Sequence, residues 1–158
     1  MSSESVTDPR KSVSIDSGLH GMVKEQRIGG VAVSAKSALV VGVRLFTALS
    51  PYLNGEIVRG TVNDEDKETI RKALGSEYTP DGKRIRAGVS VSVHEDIAGF
   101  RTLEGYVLQM QDVVDRSVVL WLEVVGGGFV DKLTDRVLAE SVDAIIKGVL
   151  ARGDEDGE

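Results

Sequence analysis

The chain contains no cysteine. That removes thiol nucleophiles, disulfides and every Cys-based zinc site at once. Aromatic residues are scarce, with one Trp, three Tyr and three Phe. Stacking platforms for single-stranded nucleic acid need aromatics on a basic surface. This chain has few of the former and a formal net charge of −6. The same charge disfavours nonspecific binding to duplex DNA and to anionic membranes. We therefore expect no nucleic-acid partner and no membrane partner. Long apolar runs are also missing. The most apolar stretch, 38–49, is short and carries Arg44, so it cannot span a bilayer. The opening residues MSSESVTDPRKS lack the apolar segment of a secretory signal. Together these absences point to a cytoplasmic protein.

What is present suffices for a core. Hydrophobic residues make up 41% of 158, enough to fold one domain without staples. With so few aromatics, that core must be Val, Leu, Ile and Ala. Residues 1–11 are polar and Ser-rich, and 152–158 are acidic (RGDEDGE); both read as disordered tails. A single α+β domain is expected over 12–151.

The clearest pattern lies at Lys83 to Val93. Ile85, Ala87, Val89, Val91 and Val93 alternate with Arg84, Arg86, Gly88, Ser90, Ser92 and His94. A period of two puts the apolar set on one face of a strand. One covered face belongs to an antiparallel sheet rather than a doubly covered parallel one. Residues 98–111 fit both a helical seam (Phe100, Leu103, Val107, Met110, Val114) and a strand. Gly99 and Gly105 each cost a helix about 1 kcal/mol, which favours the strand. Asp112 to Arg116 would then be a hairpin loop into the strand Val118–Val125. The expected architecture is an antiparallel meander over about 83–125, covered by a long helix over about 129–151. That helix has Val130, Leu133, Val137, Leu138, Val142, Ile145 and Val149 on its apolar side. Asp143 and Lys147 form an i, i+4 pair.

The N-terminal part adds further helix and strand. Asp16 to Gln26 suggests a short helix, ended by Gly29-Gly30, and 28–34 a short strand. Residues 38–53 fit helical spacing, ending near Pro51 and Asn54-Gly55, while 39–43 fit a strand equally well. A strand is expected over 56–62. Asn63 then caps a helix from Asp64 to Leu74, with Asp66 at the capping-box position and Gly75 as the stop. Thr79-Pro80-Asp81-Gly82 has turn chemistry.

No pattern carries catalysis. His20 and His94 are the only histidines and do not have metal-ligand spacing. Val125 followed by three glycines lacks the Lys-Ser/Thr of a phosphate loop. No catalytic residue, metal or cofactor is expected, and His94 with Arg84 or Arg86 has no positioned second catalytic group. Arg84, Arg86 and His94 line one strand face and could hold an anion, although any solvent face of an antiparallel strand looks the same. Val119 and Trp121, with apolar neighbours on both sides, leave their strand without a polar face. With Val107 they form the candidate interface. The resulting expectation is a non-enzymatic structural or interaction protein. It would self-assemble, as a homodimer or larger, through an apolar sheet and helix surface. Its partner is a further copy or another protein. The alternative is a helix-grip-like carrier of a small apolar ligand.

Overall fold

The structure, a computed structural model, describes residues 11–28, 31–32, 34–55, 62–74, 82–99, 102–103, 105–126 and 128–152. In chain order these form β1 (Lys11–Asp16), α1 (Ser17–Lys24), β2 (Arg27–Ile28), β3 (Val31–Ala32), α2 (Ala35–Asn54) and α3 (Asp64–Ala73). Then come β4 (Arg84–Val89), α4 (Val91–Gly99), β5 (Thr102–Leu103), β6 (Tyr106–Val107), α5 (Met110–Gly126), α6 (Phe129–Lys132) and α7 (Arg136–Arg152). The fold mixes helix with strand, and helix dominates. Its strands pair as β1–β4, β2–β3 and β5–β6, all antiparallel.

Helix α2 is the centre of the core. The Ser34 side chain accepts from the amide of Ser37 at 3.0 Å and starts it. Gly55, in the left-handed region at φ 73°, ends it and donates back to the Pro51 carbonyl. The strand alternative over 39–43 thus gives way to helix. Leu39, Val41, Val43, Leu45, Phe46 and Leu49 are all buried, on every side of the helix. Such coverage follows from position: α2 packs chiefly against α5 and α7, with α1, α3 and α4 around it. Arg44, the lone charge within 38–49, reaches Asp96 of α4 at 3.0 Å. At Gly42, α2 comes up against the backbone of α5. A Cβ built there would stand 2.1 Å from the Ser117 carbonyl oxygen.

The expected meander is not what forms. Its first strand is β4, but this pairs with β1 near the N-terminus, Ile85 opposite Ile15 and Ala87 opposite Val13. The strand stops at Val89 because the Ser90 hydroxyl accepts from the amide of Val93 at 3.3 Å and opens α4. His94 therefore sits on a helix. The expected strand over 98–111 shrinks to the two-residue strands β5 and β6. The third, Val118–Val125, lies wholly inside α5. Asp112 is a helix-start residue rather than a loop residue, its carboxylate accepting from the Gln109 amide at 3.1 Å. Helix α5 is covered by α1, α2, α3, α4 and β1. A helix covered that widely shows little polar face, which is why 118–125 reads like a doubly covered strand.

The expected single terminal helix is likewise two, α6 and α7. Leu133 is extended (ψ 134°), and the Asp135 carboxylate accepts from the Leu138 amide at 3.0 Å to restart the chain as α7. The break rephases the apolar band. Leu138, Val142 and Val149 are buried, but Val137 is 68% exposed. The cause lies on α3. Asn63 caps it as expected, its side-chain oxygen accepting from the Asp66 amide at 2.7 Å. Buried Asp66 turns its carboxylate instead to the Thr134 amide (2.8 Å), the Thr134 hydroxyl (3.0 Å) and the Asp135 amide (3.0 Å). Three donors on one carboxylate hold the α6–α7 junction open.

Several expected features lie outside the described residues: residues 1–10 and 153–158 of the tails, the Gly29-Gly30 break, residues 56–61 of the expected strand, Gly75, and the 79–81 part of the turn.

Candidate functional site

The β5–β6 hairpin is presented from a fixed base. Gly105, at φ 87°, occupies the left-handed conformation that lets the chain reverse. Leu103, beside the turn, and Leu108, just past β6, are buried, and at the hairpin's foot the Asn54 side-chain amide of α2 donates to the Thr102 carbonyl at 3.2 Å. From this base Tyr106 and Val107 stand out, 76% and 77% exposed. Met110, at the first position of α5, is also exposed. Single apolar residues scattered over a surface need no explanation. Three within five residues, where an anchored hairpin runs into the start of α5, do. A Cβ at Gly105 would meet nothing within 4 Å, so Gly105→Ala tests conformation alone. It is expected to lower stability by about 1 kcal/mol, read by urea denaturation, through left-handed strain.

The residues singled out from the sequence fall in different places. Val107 is on this hairpin. Val119 and Trp121 are both on α5, two residues and hence about 200° apart around the helix axis. Val119 is half-buried; Trp121 is fully enclosed by the chain's own core, its indole Nε1 without a hydrogen-bond partner among the described residues. Trp121 is thus a core residue of the single chain. Tyr106 and Met110 were missed. Their signal is the two-residue spacing, with a glycine, between Leu103 and Tyr106, a hairpin signature.

The basic row of Arg84, Arg86 and His94 is not assembled as one strand face. Arg84 is consumed internally. Its guanidinium grips Asp115 of α5 at 2.9 and 3.0 Å, and reaches the Ser14 hydroxyl (2.7 Å) and Ser14 carbonyl (2.8 Å). The Asp16 amide donates to the same Asp115 carboxylate at 3.1 Å. The carboxylate therefore clamps the β1–β4 ribbon onto α5. Bidentate Arg–carboxylate pairing of this kind fixes geometry as well as contributing energy. Arg86 is exposed on β4, opposite Ser14, and His94 is half-buried on α4. Asp112 and Asp115, spaced like a carboxylate pair, have separate structural duties. No family model, curated protein or solved structure is found to match this chain.

Proposed function

We propose that this chain is a non-enzymatic assembly protein that pairs with its own copies in the cytoplasm. The contact is the exposed β5–β6 hairpin with the adjoining start of α5, where Tyr106, Val107 and Met110 stand out. The observation that supports this is the exposure of Tyr106 and Val107 on a hairpin whose foot is anchored in the core. An element held in place before contact loses little conformational freedom on binding. Aromatic and Met side chains are enriched at interfaces, and a two-fold arrangement sets the same patch against itself. No helix among the described residues is long and apolar enough to cross a membrane. A helix-grip carrier requires a curved sheet around a long helix, and the described residues supply only two-stranded sheets.

Native mass spectrometry and light scattering over a concentration series test the proposal. Wild type is expected to be a defined oligomer at micromolar concentration. The double substitution Tyr106→Ser, Val107→Lys is expected to give a monomer with unchanged far-UV circular dichroism. Because both positions are exposed, the folding free energy should move by no more than about 0.5 kcal/mol per site. A wild type that stays monomeric throughout, or a double variant that stays oligomeric, would overturn the assignment.

A further inference from the structure

The far end of α5 carries a different surface. With α6 and α7 it walls an open groove of about 470 Å³. Val124, Val125, Val130, Ile146 and Leu150 supply apolar walls above Trp121. This volume is within the range of small-molecule sites, roughly 300–1,000 Å³. The groove and the hairpin lie at opposite ends of a 17-residue helix, about 25 Å long. A ligand in one need not touch the other.

Among the described residues, three charged ones border the groove: Asp131, Asp143 and Lys147. Two of them cancel. Lys147 Nζ stands 2.9 Å from Asp143 Oδ2, and that hydrogen bond, with the carboxylate's charge, raises the ammonium's pKa above its ordinary value. Lys147 therefore remains protonated and matched at neutral pH. Asp131 is exposed and has no hydrogen bond or ion pair among the described residues. Its helix α6 is joined to the anchored junction that Asp66 holds through Thr134 and Asp135. Among the described residues, the mouth of this apolar groove thus carries one uncompensated negative charge, on a fixed element.

We infer that the groove binds a small organic monocation, its apolar body between Val130, Ile146 and Leu150 and its ammonium against Asp131. Apolar burial supplies the attraction common to any amphiphile of this size. The free carboxylate selects the sign: it favours a cation, is indifferent to a neutral chain and repels an anion.

Three probes that share an eight-carbon scale and differ in charge test this: n-octylammonium, 1-octanol and n-octanoate. Trp121 is the only tryptophan and lies under the groove, so its fluorescence reports occupancy. Octylammonium is expected to saturate with a Kd about fivefold below that of octanol, the scale of one solvent-exposed ion pair. Octanoate is expected to bind weakest. Asp131→Asn, at an exposed position that will not disturb folding, should leave octanol binding unchanged and remove the ammonium's advantage. Val130→Phe, which fills the groove, should abolish the response to all three probes. Equal binding of the three, preference for octanoate, an Asp131→Asn protein that still prefers octylammonium, or no saturable response would each overturn the inference.

Discussion

Gly42→Ala is expected to lower the unfolding free energy by about 3 kcal/mol, the upper end of the overpacking range. Two effects oppose each other at this position. Inside a helix, alanine is the better former by about 1 kcal/mol, so an uncrowded site would be stabilised. At Gly42 the added methyl would sit 2.1 Å from the Ser117 carbonyl oxygen and 2.7 Å from its carbonyl carbon. Both atoms belong to backbone in the middle of α5, which no rotamer change can move. Helices α2 and α5 would have to separate along the most extensive helix–helix contact of the core. Interiors packed at crystal-like density do not absorb that displacement locally. Urea denaturation measures the loss. Gly21→Ala in α1, where a Cβ meets nothing within 4 Å, is the control and should be neutral or slightly stabilising. A Gly42→Ala protein as stable as wild type would mean that α2 and α5 do not meet here.

Asp66→Asn is expected to cost a similar amount, about 3 kcal/mol. Asp66 is completely buried, and its side-chain partners are donors: two amides and a hydroxyl. An asparagine of the same shape offers one acceptor where there were two. It also points an NH2 group at an N–H that needs an acceptor. Bonds to a charged group contribute about 1.5–3 kcal/mol, and stranding a buried donor adds its own penalty. The loss should appear both as a lower urea midpoint and as faster amide exchange at Thr134 and Asp135. Asp64→Asn, on the exposed first turn of the same helix, should change stability by only a few tenths through the helix dipole. If exchange at Thr134 and Asp135 stays slow in Asp66→Asn, the junction is held by something else.

What could be read from the sequence was local. Asn63 announces α3 because a cap is settled within three residues. The i, i+4 spacing of Asp143 and Lys147 gives an ion pair without reference to anything distant. The alternation at 84–89 gives β4, and Gly55, the glycine after Asn54, ends α2. What could not be read depended on distant coverage. Val118 to Val125 is apolar save for Glu123 because α5 has neighbours on many sides, and periodicity cannot separate a covered helix from a covered strand. The partner of β4 lies some 70 residues earlier, so its pairing left no mark near Arg84. The junction at Leu133–Asp135 carries a capping Asp of its own, but its stability comes from Asp66 on another helix. At the site, Val107 was legible as an apolar residue, yet its exposure depends on how Leu103 and Leu108 anchor the hairpin. Trp121 misled because hydrophobicity on both faces of a segment serves the chain's own core as readily as it serves a partner.

The β1–β4 ribbon also bears on the order in which the molecule is made. Its first strand leaves the ribosome early, but the carbonyl and hydroxyl of Ser14 wait for a guanidinium 70 residues on, and the Asp16 amide for a carboxylate 99 residues on. At roughly 5–20 residues per second, the partner strand follows by about 4–14 seconds. The clamp on α5 comes later still. Closing so long a loop must precede any ladder bond that repays it. During that interval the nascent chain holds an unpaired strand edge next to helices that can already form by local contacts. Strand β1, synthesised before its partners, is therefore among the last pieces to lock, and holding that edge back from wrong partners falls to Lys11 and the polar side chains of Ser12, Ser14 and Asp16.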